Sequence, residues 1–592
     1  MTAATTATNT TANSLFRLTS NQTRARFFSE WALVCSFAVL LCFSAITPTV
    51  TGVALSTALL QEAKAETLAT ELVSGEGIWV DPALLAALEN KPKSVPVVVW
   101  FDRQLLGAGT SYRDRAKEYV GWTRSRLRAA AIHTLKQLSD ESWSTAEADI
   151  KKLQRSKVLQ DVHPLWIVNG FYANLSGKGL KKLQAVAGVK KIFLSLNSGG
   201  QKANGRPKYA NKIADVKAAE SEREIMHPWY SHQLMAVRAW QEFSFRGDGV
   251  LNVVHDFNFQ YTAEVAANLY SNPGEIPGNG KDDDNNGLVD DVHGYDFNGN
   301  SDRIFFGNGM HGFYCVNVLC GRPLDGPPLG FGLAPESRWA GVIGRIEETV
   351  QWSVAQGADT YSMSFSIPGL KQGRSHWRKV LEHGSLCGIY FASGAGNFGQ
   401  EGSRGFAPIP RQMRTPEDIP DVVFASTGVH RDLTETVFAS KGPVKWELEH
   451  YQDGLVQKPE VCAFNHQIPK PSLDGSHQPG DFVNGNSLAG PMLCGTIAIL
   501  LSADPELLPW DLMNILTSTA TDIAEPGVDF ATGHGLINVY RAVKETLRRK
   551  ALRLGQDPAP FSGRSDGDFF DVGVFRQWVK EAGGVKNLRL LW

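Results

Sequence analysis

Cysteine is scarce in this chain of 592 residues: there are seven, and no two form a C-x-x-C pair. Two of them, Cys35 and Cys42, lie in an apolar N-terminal stretch. That leaves Cys315, Cys320, Cys387, Cys462 and Cys494, an odd and widely spaced set. A disulfide framework or a thiolate zinc site needs paired, regular spacing, so both are excluded and the thiols read as buried small hydrophobes. Long basic tracts are also missing. The net charge is -2, which removes the electrostatic footprint of a nucleic-acid partner. What remains is ordinary for a globular protein, 43% apolar and 20% charged, with 57 glycines that point to many tight turns. A chain of this length exceeds one hydrophobic core and calls for two or three folded units with tails.

The charge-free apolar stretch from Trp31 to Ile46 follows Arg17, Arg24 and Arg26, and Ala63-Lys64-Ala65 has the small residues of a cleavage site. Residues 1–65 therefore read as an export signal, with an uncleaved membrane anchor as the alternative. Either way the rest of the chain is expected outside the cytoplasm, secreted, periplasmic or at the cell surface. Residues 66–93 read as a linker with a short helix. Over 94–197 the pattern predicts a strand at 95–101, a helix at about 112–138, two strands around a turn at 165–175, a helix at 178–187 and a strand at 189–194. This is the split βαβ order of a small α+β domain. Residues 198–226 carry Lys202, Arg206, Lys208, Lys212 and Lys217 and read as an exposed linker open to proteolysis.

From 227 to 548 apolar strands alternate with helices. Strands are expected at 250–255, 339–343, 360–365 and 388–393, with helices at 347–356 and after His311 and Ser487. That alternation predicts a doubly wound, mostly parallel α/β sheet. Residues 549–592 form a charged tail. On such sheets, sites gather at the carboxyl ends of strands. Asp256 closes an apolar run, His311 stands in Gly-Met-His-Gly, and Ser487 stands in Gly-Asn-Ser-Leu-Ala-Gly-Pro. A serine hydroxyl needs a base to take its proton and an acid to orient that base. Taken singly these residues read as a turn aspartate, a surface histidine and a helix cap. Their combination is what points to chemistry. Asn397, in the glycine-rich loop after 388–393, offers an amide donor for an oxyanion.

On these motifs the chain resembles the subtilisin-like serine proteases, the subtilases of peptidase family S8, made with an inhibitor-type propeptide. Gly247-Asp248-Gly249-Val250, Gly332-Leu333-Ala334-Pro335, the run from Gly357 to Phe365, Phe438 to Pro443 and Gly533 to Asn538 carry the resemblance further. It implies a serine endopeptidase in which Asp256 orients, His311 is the base, Ser487 attacks and Asn397 stabilises the oxyanion. Substrate contacts are implied at Ser364, Phe365, Ser366 and Ala395. The 94–197 domain resembles a propeptide that assists folding and blocks the cleft until it is removed at 198–226. The neighbours depart from the family pattern. Phe257-Asn258 stand where a small hydroxyl residue and glycine are usual. Phe313 to Asn317 replace Thr-His-Val-Ala-Gly, Asn486 replaces a threonine, and Ala463-Phe464-Asn465 stand where Ala-Pro-Gly is common. These departures raise the alternative of a catalytically impaired relative acting as a peptide-binding or surface scaffold. No Gly-x-Ser-x-Gly elbow surrounds Ser487, which disfavours a lipase or esterase.

A separate signal is the acidic loop from Asn279 to Asp291. Oxygen ligands at alternate positions and a turn glycine fit a hard cation such as Ca²⁺, with Asp282, Asp284, Asn286, Asp290 and Asp291 as candidate ligands and no catalytic cofactor implied. The expected partners are a peptide or protein substrate and the chain's own propeptide. No nucleic acid is expected, a membrane only if the N-terminal segment is retained, and the protein is read as a monomer.

Overall fold

A computed structural model describes residues 66–195, 227–306, 309–322, 332–402, 405–471, 473, 481–563, 571–581 and 583–584. The segments expected to be a leader, 1–65, and an exposed linker, 198–226, lie outside the described residues.

The N-terminal part forms a five-stranded sheet. Its elements are β1 (Trp79–Val80), α1 (Pro82–Glu89), β2 (Ser94–Phe101), α2 (Ser111–Glu118), α3 (Arg124–Arg155), β3 (Leu159–Leu165), β4 (Gly170–Ser176) and β5 (Val189–Leu194). The strand order is β1-β5-β2-β4-β3, and β2 is antiparallel to both β4 and β5. Inserting β4 between β2 and β3 is the split βαβ arrangement. Two boundaries differ from the sequence expectation. Residues 79–89 are part of the domain, because β1 pairs in parallel with β5 and Leu84 is fully buried. The helix expected at 112–138 is two helices. The side chain of Thr123 accepts from the Arg126 amide and starts α3 afresh, and buried Leu135, Leu138, Ala146, Ile150 and Leu153 carry it on to Arg155.

The larger part holds a seven-stranded sheet in which every pairing is parallel. Its strands are β6 (Leu251–His255), β7 (Gly294–Asp296), β8 (Arg338–Ile343), β9 (Thr360–Met363), β10 (Tyr390–Gly394), β11 (Val423–Val429) and β14 (Val461–Phe464), in the order β14-β11-β10-β9-β6-β8-β7. Between β11 and β14 lies an antiparallel hairpin of β12 (Val444–Leu448) and β13 (Tyr451–Val456). Helices α4 (His311–Cys320), α5 (Ile346–Ala355), α6 (Gly373–Leu386) and α7 (Ala489–Ala503) belong to this part, followed by α8 (Pro509–Thr519), α9 (Val539–Arg553) and α10 (Val572–Glu581). Because helices cover both faces, β6, β9, β10 and β11 are buried at every position. This is the α/β sheet that the sequence predicts. The segment Asn486–Ala503 is long and apolar enough to cross a membrane, yet 89% of it is buried inside the protein. It is a core helix, apolar all round because protein surrounds it. The charged tail is not wholly a tail: α9 runs to Arg553, Phe575 of α10 is buried in the main core, and Arg576 donates to the Ile523 carbonyl at 2.6 Å.

The smaller sheet packs on α5 and α6. Val98, Trp100, Tyr172 and Phe193 share one apolar cluster with Val350, Trp377, Val380 and Leu381.

Candidate active site

Strand β6 delivers Asp256 at its carboxyl end, where the chain still pairs with β8 through Asp256 N–H and the Val342 carbonyl at 3.2 Å. The carboxylate is buried, at 2% exposure. His311 is the first residue of α4. The next amide, Gly312 N–H, donates to the Phe257 carbonyl at 2.9 Å, which ties the start of this helix to the turn after Asp256. The imidazole Nδ1 lies 2.8 and 3.0 Å from the two Asp256 carboxylate oxygens. Phe257 stacks on the imidazole with centroids 5.4 Å apart and planes 9° apart. The aromatic at this departure from the family pattern therefore covers one face of the ring.

Ser487 sits in a single 3₁₀ turn, Asn486–Leu488, immediately before α7. That turn is pressed onto the end of β10. A Cβ on Gly394 would lie 2.0 Å from the Asn486 carbonyl oxygen, and one on Gly490 would lie 2.5 Å from Gly394 N. Only glycine fits at either place. Ser487 Oγ donates to the Ser364 carbonyl at 3.2 Å, and Ser364 Oγ donates to the Ser487 carbonyl at 2.9 Å. Cys315, one helical turn after His311, places its Sγ 3.5 Å from the same Ser487 carbonyl. The helix that bears the imidazole thus touches the turn that bears the hydroxyl. Cys315 is buried near Asp256, and burial together with that carboxylate holds its thiol well above the usual range. It is a neutral packing group beside the site.

Asn397 Oδ1 accepts the Asn486 amide N–H at 3.0 Å. With its oxygen committed, the side chain has its NH₂ group left to donate. Two departures from the family pattern are partners: Asn465 Nδ2 donates to Asn486 Oδ1 at 2.8 Å and to Thr436 Oγ1 at 2.8 Å. Asn486 Nδ2 in turn donates to the Gly396 carbonyl. A replaced threonine and a replaced glycine together form a buried amide pair that locks the turn of Ser487 to the loop of Asn397.

Of the expected substrate contacts, Ser364 and Ser366 follow β9 beside Ser487, and Ala395 follows β10 and is fully buried. Phe365 turns its ring inward, edge-on to His255 at 4.9 Å and to Trp377 at 6.2 Å, so its backbone is the part beside the cleft. His255 is fully enclosed, and burial lowers its value to about 4, so it is a neutral core residue.

The acidic loop brings together fewer of its expected ligands. Asp284 and Asp291 converge with Glu275, their ligand oxygens within 4.8 Å of one another. Asp282 instead accepts from the Asn286 and Gly287 amides, and Asp290 from those of Asn279 and Gly280. Asn286 donates its amide to Asp284 and Asp291. Sequence spacing missed Glu275, which lies outside the alternating run. Its Oε1 accepts from the Asp283 and Asp284 amides, while Oε2 is buried with no hydrogen-bond partner among the described residues.

The family model of the subtilases, Peptidase_S8, matches residues 214–535, more than half of the chain. The chain belongs to the subtilase family of serine-type endopeptidases. Among its relatives, subtilisin DY of Bacillus licheniformis is 28% identical over 248 residues, a match covering 40% of this chain and 78% of that protein. Bacillopeptidase F of Bacillus subtilis (strain 168) is 23% identical over 501 residues, covering 80% of this subtilase and 33% of the relative. Among solved structures, MycP1 from Mycobacterium smegmatis aligns over 55% of this chain and 87% of its own, at 18% identity and a TM-score of 0.40.

Proposed function

We propose that this subtilase hydrolyses peptide bonds, with Ser487 as nucleophile, His311 as general base and Asp256 as the group that orients it. The observation that carries this reading is the 2.8 Å contact between Asp256 and His311 Nδ1, made beside the turn of Ser487. A carboxylate on Nδ1 fixes the tautomer with the proton there, so the lone pair on Nε2 is available for the Ser487 proton once Oγ turns from the Ser364 carbonyl that it meets in this structure. The carboxylate then stabilises the imidazolium that forms. As the hydroxyl adds to the substrate carbonyl, charge collects on oxygen and the Asn397 amide donates to it. Losing one such donor costs about 10²–10³ in turnover, a figure measured on a subtilisin, the family to which this chain belongs. The imidazolium returns its proton to the leaving amine, and water repeats the sequence on the acyl enzyme.

The same reading makes the product an exported precursor. Residues 1–65 direct export, the α+β domain assists folding and covers the cleft, and a cut within 198–226 releases the enzyme. Calcium belongs to it as a structural ion. Glu275, Asp284 and Asp291 supply the hard oxygen ligands, and the orphaned Glu275 Oε2 is the group such an ion would satisfy.

Hydrolysis of a casein or tetrapeptide substrate by purified full-length protein, abolished in Ser487→Ala, is the expected result. Cleavage of the purified precursor between residues 198 and 226 in wild type, with the Ser487→Ala precursor intact, tests the processing claim. Equal cleavage in both, or none in either, would reject that claim. Chelation by EDTA should lower the melting temperature of wild type by several degrees and leave Glu275→Gln nearly unmoved. No response in wild type would dismiss the ion.

A further inference from the structure

Glu417 is the feature that the proposed chemistry leaves unexplained. It is fully buried, at 0% exposure, in the stretch Thr415-Pro416-Glu417-Asp418 ahead of β11. Its Oε1 accepts from Ser366 Oγ at 2.5 Å and from the Arg414 amide at 3.1 Å. The same oxygen would stand 2.8 Å from a Cβ built on Gly396, whose φ of +94° also favours glycine. Ser366 lies two residues past Ser364, which touches Ser487, and Gly396 immediately precedes Asn397. The carboxyl therefore sits between the loops that follow β9 and β10, the two segments that touch the turn of Ser487 through Ser364 and Asn397. Its second oxygen, Oε2, is buried and has no hydrogen-bond partner among the described residues. The Arg414 guanidinium lies over the Phe398 ring, 5.0 Å from the centroid, near enough to feel the Glu417 charge but without a hydrogen bond to Oε2.

We infer that Glu417 is a specificity-determining residue, and that this subtilase selects a cationic side chain, lysine or arginine, at the substrate position preceding the scissile bond. The inference rests on the proposed hydrolysis and adds to it the class of substrate. A buried carboxyl with one oxygen unmet is costly to keep, and an apolar or acidic side chain entering beside it leaves that cost in place. An ammonium or guanidinium group supplies the missing donors and a charge to balance the carboxylate. Sites built to hydrogen-bond a substrate group discriminate far more steeply than apolar pockets, by about 10⁴–10⁵ at best. Burial raises the Glu417 carboxyl to about 8, which is the state expected while its partner is absent.

The test compares tetrapeptide p-nitroanilides that differ only in the last residue: lysine, arginine, norleucine and glutamate. Wild type should prefer lysine over norleucine by at least tenfold in kcat/KM, and Glu417→Gln should bring that ratio near one. The ratio is internal to each variant, so partial misfolding drops out of it. A norleucine preference, or a lysine preference that survives Glu417→Gln, overturns the inference while leaving the protease reading intact. If nothing is cleaved, the protease reading fails, and calorimetry on Ser487→Ala with peptides ending in lysine or norleucine decides the inference separately. Tighter binding of the lysine peptide, lost in Ser487→Ala/Glu417→Gln, upholds it; equal affinities overturn it.

Discussion

At the scale of single residues, the site is held by groups that the family pattern does not lead one to expect. The pair of Asn465 and Asn486 replaces a glycine and a threonine, and Asn465 Nδ2 donates to Asn486 Oδ1 at 2.8 Å, a buried hydrogen bond between the two side chains. Truncating one removes a buried partner from the other, which keeps only its bond to Thr436 or Gly396, at a cost of about 1–3 kcal/mol. Asn465→Ala and Asn486→Ala should therefore each lower stability in urea unfolding, and the double variant should cost clearly less than the sum. Strict additivity would mean that the pair is incidental. Glu417 makes a second residue-level prediction. Its folded value, raised to about 8, lies above the ordinary 4.5, so the folded form holds a proton that the unfolded form has lost between those values. Its favourable share is fully present below pH 4.5 and lost as pH rises toward 8. The melting temperature of wild type should accordingly fall relative to Glu417→Gln between pH 5 and pH 8. Parallel curves for the two proteins would contradict the burial argument.

At the scale of elements, the sequence was legible where burial on both faces leaves an unbroken apolar run. Strands β6, β8, β9 and β10 announce themselves this way, and Asp256, His311, Ser487 and Asn397 were found because they stand at the ends of such runs or at helix starts. Strand β11 was missed although every position is buried, because Val-Phe-Ala-Ser-Thr-Gly-Val mixes polar and small residues and shows no unbroken apolar run. Strand β7 has three residues and follows the acidic loop, too short for any period to show. In the hairpin, β12 alternates Val444, Trp446 and Leu448 with Lys445 and Glu447, but β13 keeps no such period, and the register between them is tertiary information. Glu275 and Glu417 were invisible for a related reason: each acts across a fold distance that no local spacing encodes. The close packing of the Ser487 turn on β10 carries its own prediction. Gly490→Ala places a methyl 2.5 Å from backbone nitrogen, and the start of α7 has no slack to absorb it. We expect a loss of at least about 2–3 kcal/mol in unfolding free energy, together with activity lost out of proportion to stability. An unchanged melting temperature would show that the turn is looser than drawn.

At the scale of the whole molecule, the two sheets are joined through buried polar contacts as well as apolar ones. Trp100 Nε1 lies 3.1 Å from His376 Nδ1, the Leu106 amide lies 3.2 Å from His383 Nε2, and His383 Nδ1 lies 2.6 Å from the Ile167 carbonyl. His450 Nδ1 lies 3.0 Å from Lys191 Nζ. Burial lowers both His383 and His450 to about 3. Each histidine is neutral when folded and takes a proton more readily when unfolded, so its contribution is present above about pH 6.5 and lost as pH falls toward 3. Acidification from pH 7 to pH 4 should therefore loosen the contact between the two sheets first, read as faster hydrogen exchange in α6 and β2. Exchange that rises uniformly across the chain would locate the acid sensitivity elsewhere.

The central claim is that folding assembles a working nucleophile from Asp256, His311 and Ser487. Labelling with a fluorophosphonate probe, with the modified peptide mapped by mass spectrometry, measures this most directly. The account predicts a single adduct on Ser487, formed at a rate that collapses in His311→Ala and Asp256→Ala. A folded protein that takes up no probe, or takes it up equally without His311, would contradict it.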